Sequence, residues 1–204
     1  MPDGNNPENP NTGLSAFIHG LNSSAAGVRP EAAREIFRRG RELARSAIAA
    51  WLSDETLAKL FVTDASGFPE ATVGVAVEPA TFEAIHLACG SPHLAEIPPD
   101  QDAQEFELEF PGGVRLDILT TRDRAGSGAM ARHLQKFGES IQQVELLVKN
   151  VDQATVALQS RFHLVPLFPA TRAGANGTRI NFFLVLSPSG KKVLIELVEA
   201  GTPV

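Results

Sequence analysis

The sequence predicts an α+β fold that contains two βαβββ modules, preceded by N-terminal helices. Three observations lead to this expectation. The order strand–helix–strand–strand–strand occurs twice, over residues 71–121 and 141–199. The spacing of apolar residues changes from helical to alternating after Gly67-Phe68-Pro69. A turn sequence, Ser187-Pro188-Ser189-Gly190, joins the last two long alternating segments. Each copy of such a unit needs a partner to cover its sheet face, so the two modules should pair.

Changes in composition divide the chain into five segments. Residues 1–28 are rich in Pro, Asn, Gly and Ser, which is typical of a flexible arm. The other predicted segments are a helical extension at 29–66, a first βαβββ module at 67–125, a linker with a short helix at 126–140, and a second module at 141–204.

Apolar spacing and turn residues predict the individual elements. A long helix begins at Pro30 and ends near Leu52, and Asp54 can cap a second short helix over residues 55–61. Helical spacing also predicts helices at 80–89, 128–137 and 151–162. Alternation predicts strands at 71–77, 103–110, 114–120, 141–148, 164–168, 178–186 and 192–199, and a weak strand near 93–97.

One face of the long helix carries a stripe of four arginines: Arg34, Arg38, Arg41 and Arg45. Such a stripe could bind an anion. It could also be a solvated face with Glu35–Arg39 and Arg38–Glu42 pairs, each of which stabilises a helix by about 0.2–0.5 kcal/mol. We expect the solvated face.

Charge and composition exclude several classes of function. The formal net charge of −6 argues against a general surface for nucleic acid or anionic membranes. The single cysteine, Cys89, excludes an internal disulfide and a cysteine-based zinc cluster. The chain shows neither a signal peptide nor an apolar run long enough to span a membrane. We therefore expect a cytoplasmic protein with a small-molecule ligand and without nucleic-acid or membrane partners.

Polar side chains share one face of strands whose other face is aliphatic. This polar set contains Thr72, Glu105, Asp117, Gln143, Glu145 and Glu196. If the two sheets curl towards each other, the set converges on a half-polar cavity. A wet outer face is the alternative. A buried polar group needs a partner, a solvated cavity or a ligand, because unpaired burial costs about 2–7 kcal/mol.

The second module resembles the glyoxalase/bleomycin-resistance superfamily, also called vicinal oxygen chelate proteins, and within it methylmalonyl-CoA epimerase. Phe137-Gly138-Glu139-Ser140-Ile141-Gln142-Gln143-Val144 is similar to that family's Gly-(Ile/Leu)-His-His-(Ile/Met) strand. Gly177-Thr178-Arg179-Ile180-Asn181-Phe182 and Val193-Leu194-Ile195-Glu196-Leu197 are similar to two later segments. The resemblance is weaker in the first module, around Pro99-Asp100-Gln101 and Ala103-Gln104-Glu105, and it does not include the N-terminal 70 residues.

The resemblance implies paired modules around a metal with four protein ligands, two of them histidines. The matching positions here are Thr72, Asp117, Gln143 and Glu196, so threonine and glutamine replace the histidines. Imidazole suits transition metals, whereas this set supplies only oxygen or amide donors. We expect no tightly bound cofactor. The alternative is a divalent ion held weakly by Asp117, Glu196 and Gln143.

The resemblance also implies an epimerase mechanism with two glutamates, to which Glu105 and Glu196 correspond. One would remove the α-proton and the other would return it from the opposite face. Because both histidines are replaced, we expect a protein that binds a small acidic metabolite or an acyl-CoA, with lost or diverged chemistry. An active epimerase or lyase that uses Glu105 and Glu196 is one alternative, and a metal-free binding protein of the bleomycin-resistance type is another. A homodimer is also expected.

Overall fold

The fold consists of a curled β-sheet with helices on its convex side. The computed structural model describes residues 10–199, and their side chains from residue 13 onward. The helices there are α1 (Pro10–Gly20), α2 (Val28–Leu52), α3 (Glu55–Ala58), α4 (Pro79–Ala88), α5 (Ala129–Phe137) and α6 (Val151–Phe162). The strands are β1 (Ala71–Ala76), β2 (Gln104–Phe110), β3 (Val114–Thr120), β4 (Ser140–Leu147), β5 (Arg172–Ala173), β6 (Arg179–Leu186) and β7 (Lys192–Glu199).

The strands form one mixed sheet in the order β2-β3-β1-β4-β7-β6-β5. The first strands of the two modules, β1 and β4, pair antiparallel, so the predicted pair of curved sheets is joined along that seam. In each module the last strand runs parallel to the first, as β3 does beside β1 and β7 beside β4. The predicted α+β fold with two modules and N-terminal helices is confirmed.

Two predicted strands are absent from the described part of the chain. Residues 93–97 form no strand, and a single backbone hydrogen bond of 2.8 Å joins Ala95 to Glu105. Residues 164–168 contribute only a bridge between Pro166 and Phe183. Both segments contain or adjoin prolines, which lack the N–H group that a ladder requires. The second predicted helix is also shorter than expected and ends at Ala58, although Asp54 caps it by accepting from two backbone N–H groups.

The prediction of a flexible arm over residues 1–28 is wrong for residues 10–20. Residues 10–20 form α1, which packs against α2; Leu14 and Ile18 of this helix are buried, as is Leu21 just after it. These residues are spaced by four and three, which is helical spacing, and their burial outweighs the loop-like composition around them. The first nine residues lie outside the described part.

Helix α2 crosses the convex face of both modules and touches β1, β3, β4, β6 and β7. Its close approach depends on Gly40, because a Cβ atom there would lie 2.5 Å from Cγ2 of Val73. The two large apolar clusters beneath the helices contain opposite ends of α2, with Ile36 in the cluster of the first module and Trp51 in that of the second. This helix therefore ties the modules together from behind the sheet.

The arginine stripe of α2 is largely engaged in local ion pairs. Arg38 and Arg39 both bind Glu35, each with a shortest contact of 2.8 Å. Arg45 pairs with Glu42 at 3.4 Å. Arg41 lies over the ring of Phe68, with 3.9 Å between its guanidinium carbon and the ring centroid. The stripe is thus a surface on which arginines pair with nearby acids, as expected. Arg38, however, binds Glu35 rather than the predicted Glu42.

None of the helices within residues 10–199 is both long enough and apolar enough to cross a membrane.

Candidate ligand-binding cavity

The concave face of the sheet lines a cavity of about 800 Å³. All six polar residues that the sequence singled out line it: Thr72, Glu105, Asp117, Gln143, Glu145 and Glu196. Four of them, at positions 72, 117, 143 and 196, are buried, which excludes a wet outer face at the centre of the sheet. Aliphatic residues on the opposite face of the same strands pack beneath the helices.

A local two-fold axis between β1 and β4 relates the two halves of the cavity. Thr72 pairs with Glu145 across this seam, and Gly74 pairs with Gln143. An antiparallel pair of this register makes Thr72 equivalent to Gln143, and Gly74 equivalent to Glu145. The two positions that correspond to metal histidines are therefore related by the axis. The carboxyl group of Glu145 occupies the centre of the sheet, where its counterpart is a glycine.

The same relation extends to the outer strands of the sheet. Asp117 lies beside Gly74 on β3, and Glu196 lies beside Glu145 on β7. These two acids are thus equivalent, and both are buried, with 3% and 6% of their surfaces exposed. The centre of the cavity accordingly holds three carboxyl groups from three different strands.

Gly74 leaves space for the side chain of Gln143. A Cβ atom at position 74 would lie 2.6 Å from Cγ of Gln143 and 3.1 Å from Cδ1 of Leu119. The register shifts immediately after Gly74, so that Val75 pairs with residue 141 and Gln142 is the extra residue of a β-bulge. As a result, two successive glutamines line the cavity.

A chain of hydrogen bonds runs through the centre of the cavity. Nε2 of Gln143 donates to Oε1 of Glu145 at 2.9 Å and to Oε2 of Glu196 at 2.5 Å. Asp117 lies beside this chain, and burial followed by the charge of Glu145 raises its pKa. The hydrogen bonds connect β4 and β7.

Burial and crowding raise the pKa values of the cavity acids. Burial raises the pKa of Glu105 to about 8, and the charges of Glu145 and Glu107 add to the shift. Burial, followed by the charge of Glu145, also holds the pKa values of Asp117 and Glu196 well above their ordinary range. Carboxyl groups of this kind remain protonated at a pH where exposed ones are ionised.

The two side walls of the cavity carry different side chains, although the local two-fold axis makes their backbones equivalent. Strand β2 presents glutamates at three positions where β6 presents apolar residues. The related pairs, aligned through the registers of β3 and β7, are Glu105 and Ile180, Glu107 and Phe182, and Glu109 and Leu184. The first module therefore supplies an acidic wall, and the second supplies an apolar one.

Both arginines that line the cavity have acidic partners. Arg115 binds Glu70, with 3.0 Å between Nη2 and Oε2. Arg172 pairs with Asp100, and its guanidinium lies 4.4 Å from the ring centroid of Phe168. The excess of acid around the cavity is therefore large: nine carboxylic acids line it, against two arginines.

The residues at the centre do not fit the metal site that the resemblance implies. Within the described residues, no three His, Cys, Asp or Glu side chains are arranged to hold a metal ion. The amide nitrogen of Gln143, which is a donor, points at the two carboxyl groups that would be the strongest oxygen ligands. No imidazole occupies either histidine position.

Several residues of the cavity were not among the sequence candidates. The apolar wall includes Phe168, Ile180 and Phe182, and the mouth includes His93. Phe182 and Ile180 alternate along β6 in the manner of any strand, so the sequence contained no sign that they face a cavity. The side-chain oxygen of Gln142 is fully buried and has no hydrogen-bond partner. Only the bulge places this residue in the cavity.

The chain is similar to several proteins of known structure. It is 32% identical to methylmalonyl-CoA epimerase from Mycobacterium tuberculosis, over 65% of this chain and 87% of that protein, with a TM-score of 0.52. Streptomyces coelicolor methylmalonyl-CoA epimerase in complex with 2-nitronate-propionyl-CoA is 21% identical over 66% and 98% of the two chains, with a TM-score of 0.52. A hypothetical protein from Bacillus halodurans is 21% identical over 65% and 94%, with a TM-score of 0.53. No family model and no curated protein matches the chain.

The fold and the first of these similarities define the class of the protein. The chain is a member of the glyoxalase/bleomycin-resistance, or vicinal oxygen chelate, superfamily. Within that superfamily it belongs to the methylmalonyl-CoA epimerase family, because it is 32% identical to the methylmalonyl-CoA epimerase from Mycobacterium tuberculosis. The two relatives at 21% identity support the fold alone.

Proposed function

We propose that this protein binds an organic small molecule in its concave cavity and uses no catalytic metal there. The observation that carries the proposal is the hydrogen-bonded chain in which Gln143 donates to Glu145 and to Glu196. It fills the centre of the cavity, where the resemblance implies a metal ion. The side-chain amide of Gln143 supplies the link between β4 and β7 there.

The size of the cavity supports a ligand-binding role. Pockets for small molecules enclose about 300–1,000 Å³ and combine apolar walls with a few polar groups. The cavity here has a volume of about 800 Å³, an apolar wall on β6 and an acidic wall on β2. Streptomyces coelicolor methylmalonyl-CoA epimerase forms a complex with 2-nitronate-propionyl-CoA, so an acyl-CoA belongs among the ligands to be tested.

Metal analysis tests the proposal directly. Protein purified without chelators, and then incubated with Mn²⁺, Co²⁺ or Zn²⁺ and desalted, should contain well below one equivalent of metal. Its thermal midpoint should not change on metal addition. The matched control is the double variant T72H/Q143H, which places imidazole at both two-fold-related positions and should gain stoichiometric metal. Stoichiometric metal in the unmodified protein would contradict the proposal.

A second candidate function is acid–base chemistry by Glu105 and Glu196. These carboxyl groups line the same cavity, and the charge of Glu105 acts on Glu196 and raises its pKa. General acid–base catalysis uses carboxyl groups tuned in this way. Among the described residues that line the cavity, no arginine is free to stabilise an enolate, because Arg115 and Arg172 are both paired with acids.

Proton exchange distinguishes the two candidates. Methylmalonyl-CoA incubated with the protein in deuterated buffer should keep its α-proton if the protein only binds ligands. Exchange that is abolished in Glu105→Gln and retained in the surface variant Glu83→Gln would establish the second candidate instead.

A further inference from the structure

We infer that two loops from opposite modules form a clasp across the open side of the cavity, and that opening of this clasp admits large ligands. The clasp consists of residues 95–101, which lie between α4 and β2, and residues 172–176, which begin with β5. Its role as a gate for ligands rests on the proposed binding function, because it concerns the route into the same cavity.

The clasp joins the two edges of the curled sheet. Strand β2 is the first strand in the order of the sheet, and β5 is the last. The first loop lies against β2, because the amide of Ala95 donates to the carbonyl of Glu105 at 2.8 Å. The second loop includes β5 itself. Contact between the loops therefore closes the sheet into a ring, and both loops line the cavity that the ring encloses.

Polar contacts hold the two loops together. The amide of Asn176 donates to the carbonyl of Glu96 at 2.9 Å, and the amide of Glu96 donates to Oδ1 of Asn176 at 2.9 Å. Nε2 of Gln101 donates to the carbonyl of Ala173 at 3.2 Å. The ion pair between Arg172 and Asp100 is a further contact. Each contact joins residues of different modules, so the clasp exists only in the assembled sheet.

The backbone of the second loop prepares Asn176 for this reciprocal pair. Asn176 has a φ of 53° and Gly177 a φ of 73°, which is the left-handed region that these two residue types tolerate best. The amide of Thr178 donates to the carbonyl of Ala175 at 3.0 Å and closes the turn. The turn therefore presents the amide and the side-chain oxygen of Asn176 to the same residue of the other module.

The clasp can open without unfolding the sheet. The side-chain hydrogen bonds between the loops are exposed, so water can replace them. Neither residues 95–101 nor residues 172–176 belong to the buried apolar clusters of the described chain, which hold the strands and helices together. Segments held by few buried contacts and by exposed hydrogen bonds are those that open locally.

A thiol inside the cavity tests the clasp without any ligand. Thr72→Cys in a Cys89→Ser background places one thiol at a buried position that lines the cavity. Its rate of modification is measured with a small reagent, methyl methanethiosulfonate, and a bulky one, fluorescein-5-maleimide. Asn176→Gly keeps the left-handed backbone and removes the side-chain acceptor. It should accelerate the bulky reagent by about fivefold or more, the factor for one lost hydrogen bond, and change the rate of the small reagent by less than about twofold.

Two variants provide matched controls. Asn176→Asp keeps the side-chain acceptor and should leave both rates unchanged. Asn22→Gly makes the same substitution at an exposed position after α1 and should also have no effect. Circular dichroism checks that each variant is folded. If Asn176→Gly does not fold, Gln101→Ala removes a different contact of the clasp and should give the same selective acceleration.

The outcomes separate the clasp from the binding function. An unchanged rate for the bulky reagent in folded Asn176→Gly or Gln101→Ala would overturn the inference, because entry would then follow another route. Equal acceleration of both reagents would also overturn it, since the whole cavity would have loosened. Failure of methylmalonyl-CoA and other small molecules to bind would refute the binding function and leave these rates as expected.

Discussion

Glu145 is the side chain whose charge reaches the largest part of the cavity. Its carboxyl group contributes to the raised pKa values of Glu105, Asp117 and Glu196, which lie on three other strands. It also accepts a hydrogen bond from Gln143. A single acid at the centre of the sheet therefore couples the protonation of its neighbours, so these groups titrate as a set.

The close contact between Gly74 and Gln143 gives a prediction at the same scale. Gly74→Ala should lower the free energy of unfolding by about 1–3 kcal/mol, because the new methyl group would overlap Cγ of Gln143. Urea denaturation measures the change. In the Gln143→Ala background, the same substitution should cost much less. An equal cost in both backgrounds would contradict this explanation.

The raised pKa of Glu105 predicts a dependence of stability on pH. The unfolded state loses this proton near pH 4.5, whereas the folded state keeps it until about pH 8. The unfolded state therefore binds fewer protons in this range, and the stabilisation present below pH 4.5 is lost as the pH rises to 8. The free energy of unfolding should fall over this interval.

Glu105→Gln tests the assignment of that slope. It should flatten the decline by up to about 1.4 kcal/mol per pH unit, which corresponds to one proton. Glu83→Gln should leave the slope unchanged. A stability that rises between pH 5 and pH 8 would show that other groups dominate the titration.

At the scale of elements, α2 and the seam between β1 and β4 hold the two modules together. The helix packs on both modules from the convex side, and the seam joins them through backbone hydrogen bonds. Gly40 sets how closely the helix approaches β1, since its missing side chain accommodates both methyl groups of Val73. The position of the helix over β1 thus depends on this contact.

Gly40→Ala measures the strength of that dependence. Alanine favours a helix over glycine by about 1 kcal/mol, whereas overpacking costs about 1–3 kcal/mol. We expect net destabilisation, because the methyl group would lie 2.5 Å from Val73. In a Val73→Ala background the same change should become neutral or stabilising. Guanidinium denaturation of the unmodified protein, the two single variants and the double variant gives the coupling energy between the two positions. If the two effects on the free energy of unfolding simply add, the contact between Gly40 and Val73 is not the cause of the destabilisation.

The elements that the sequence predicted well are those in which the spacing of apolar residues within the element identifies its type. Alternation along β3 and β7 located Asp117 and Glu196 on the inner face, and both are buried there. Helical spacing located α6 to the residue. The predicted strands near residues 95 and 166 were wrong because prolines lie in or beside them. Alternation is visible in the sequence, whereas the missing N–H donor of a proline matters only when the partner strand is known.

Features that depend on contacts between distant segments could not be predicted. The bulge that brings Gln142 into the cavity arises from the register between β1 and β4. The hydrogen bond between Gln143 and Glu196 joins residues 53 positions apart. Glu107 and Glu109 of β2 were not among the candidates, because their apolar counterparts on β6 become meaningful only when the two-fold relation is known.

At the scale of the whole molecule, shared packing predicts a single unfolding transition. Trp51, the only tryptophan, lies in the cluster of the second module, while far-UV circular dichroism reports on both modules. The two signals should give the same urea midpoint, since α2 and the seam connect the modules. A circular-dichroism transition that precedes the fluorescence transition would show that the first module unfolds separately.

The predicted homodimer remains a prediction, and sedimentation of the full chain would test it.

The unequal walls of the cavity restrict the orientation in which a ligand can bind. A backbone with two-fold symmetry and equal walls would accept a ligand in two opposite directions, head first or tail first. Here Glu105 and Ile180 occupy equivalent places with opposite polarity, so only one direction satisfies both ends of an asymmetric ligand. The two modules share one backbone arrangement but carry different side chains on β2 and β6, and this difference fixes the orientation of an asymmetric ligand.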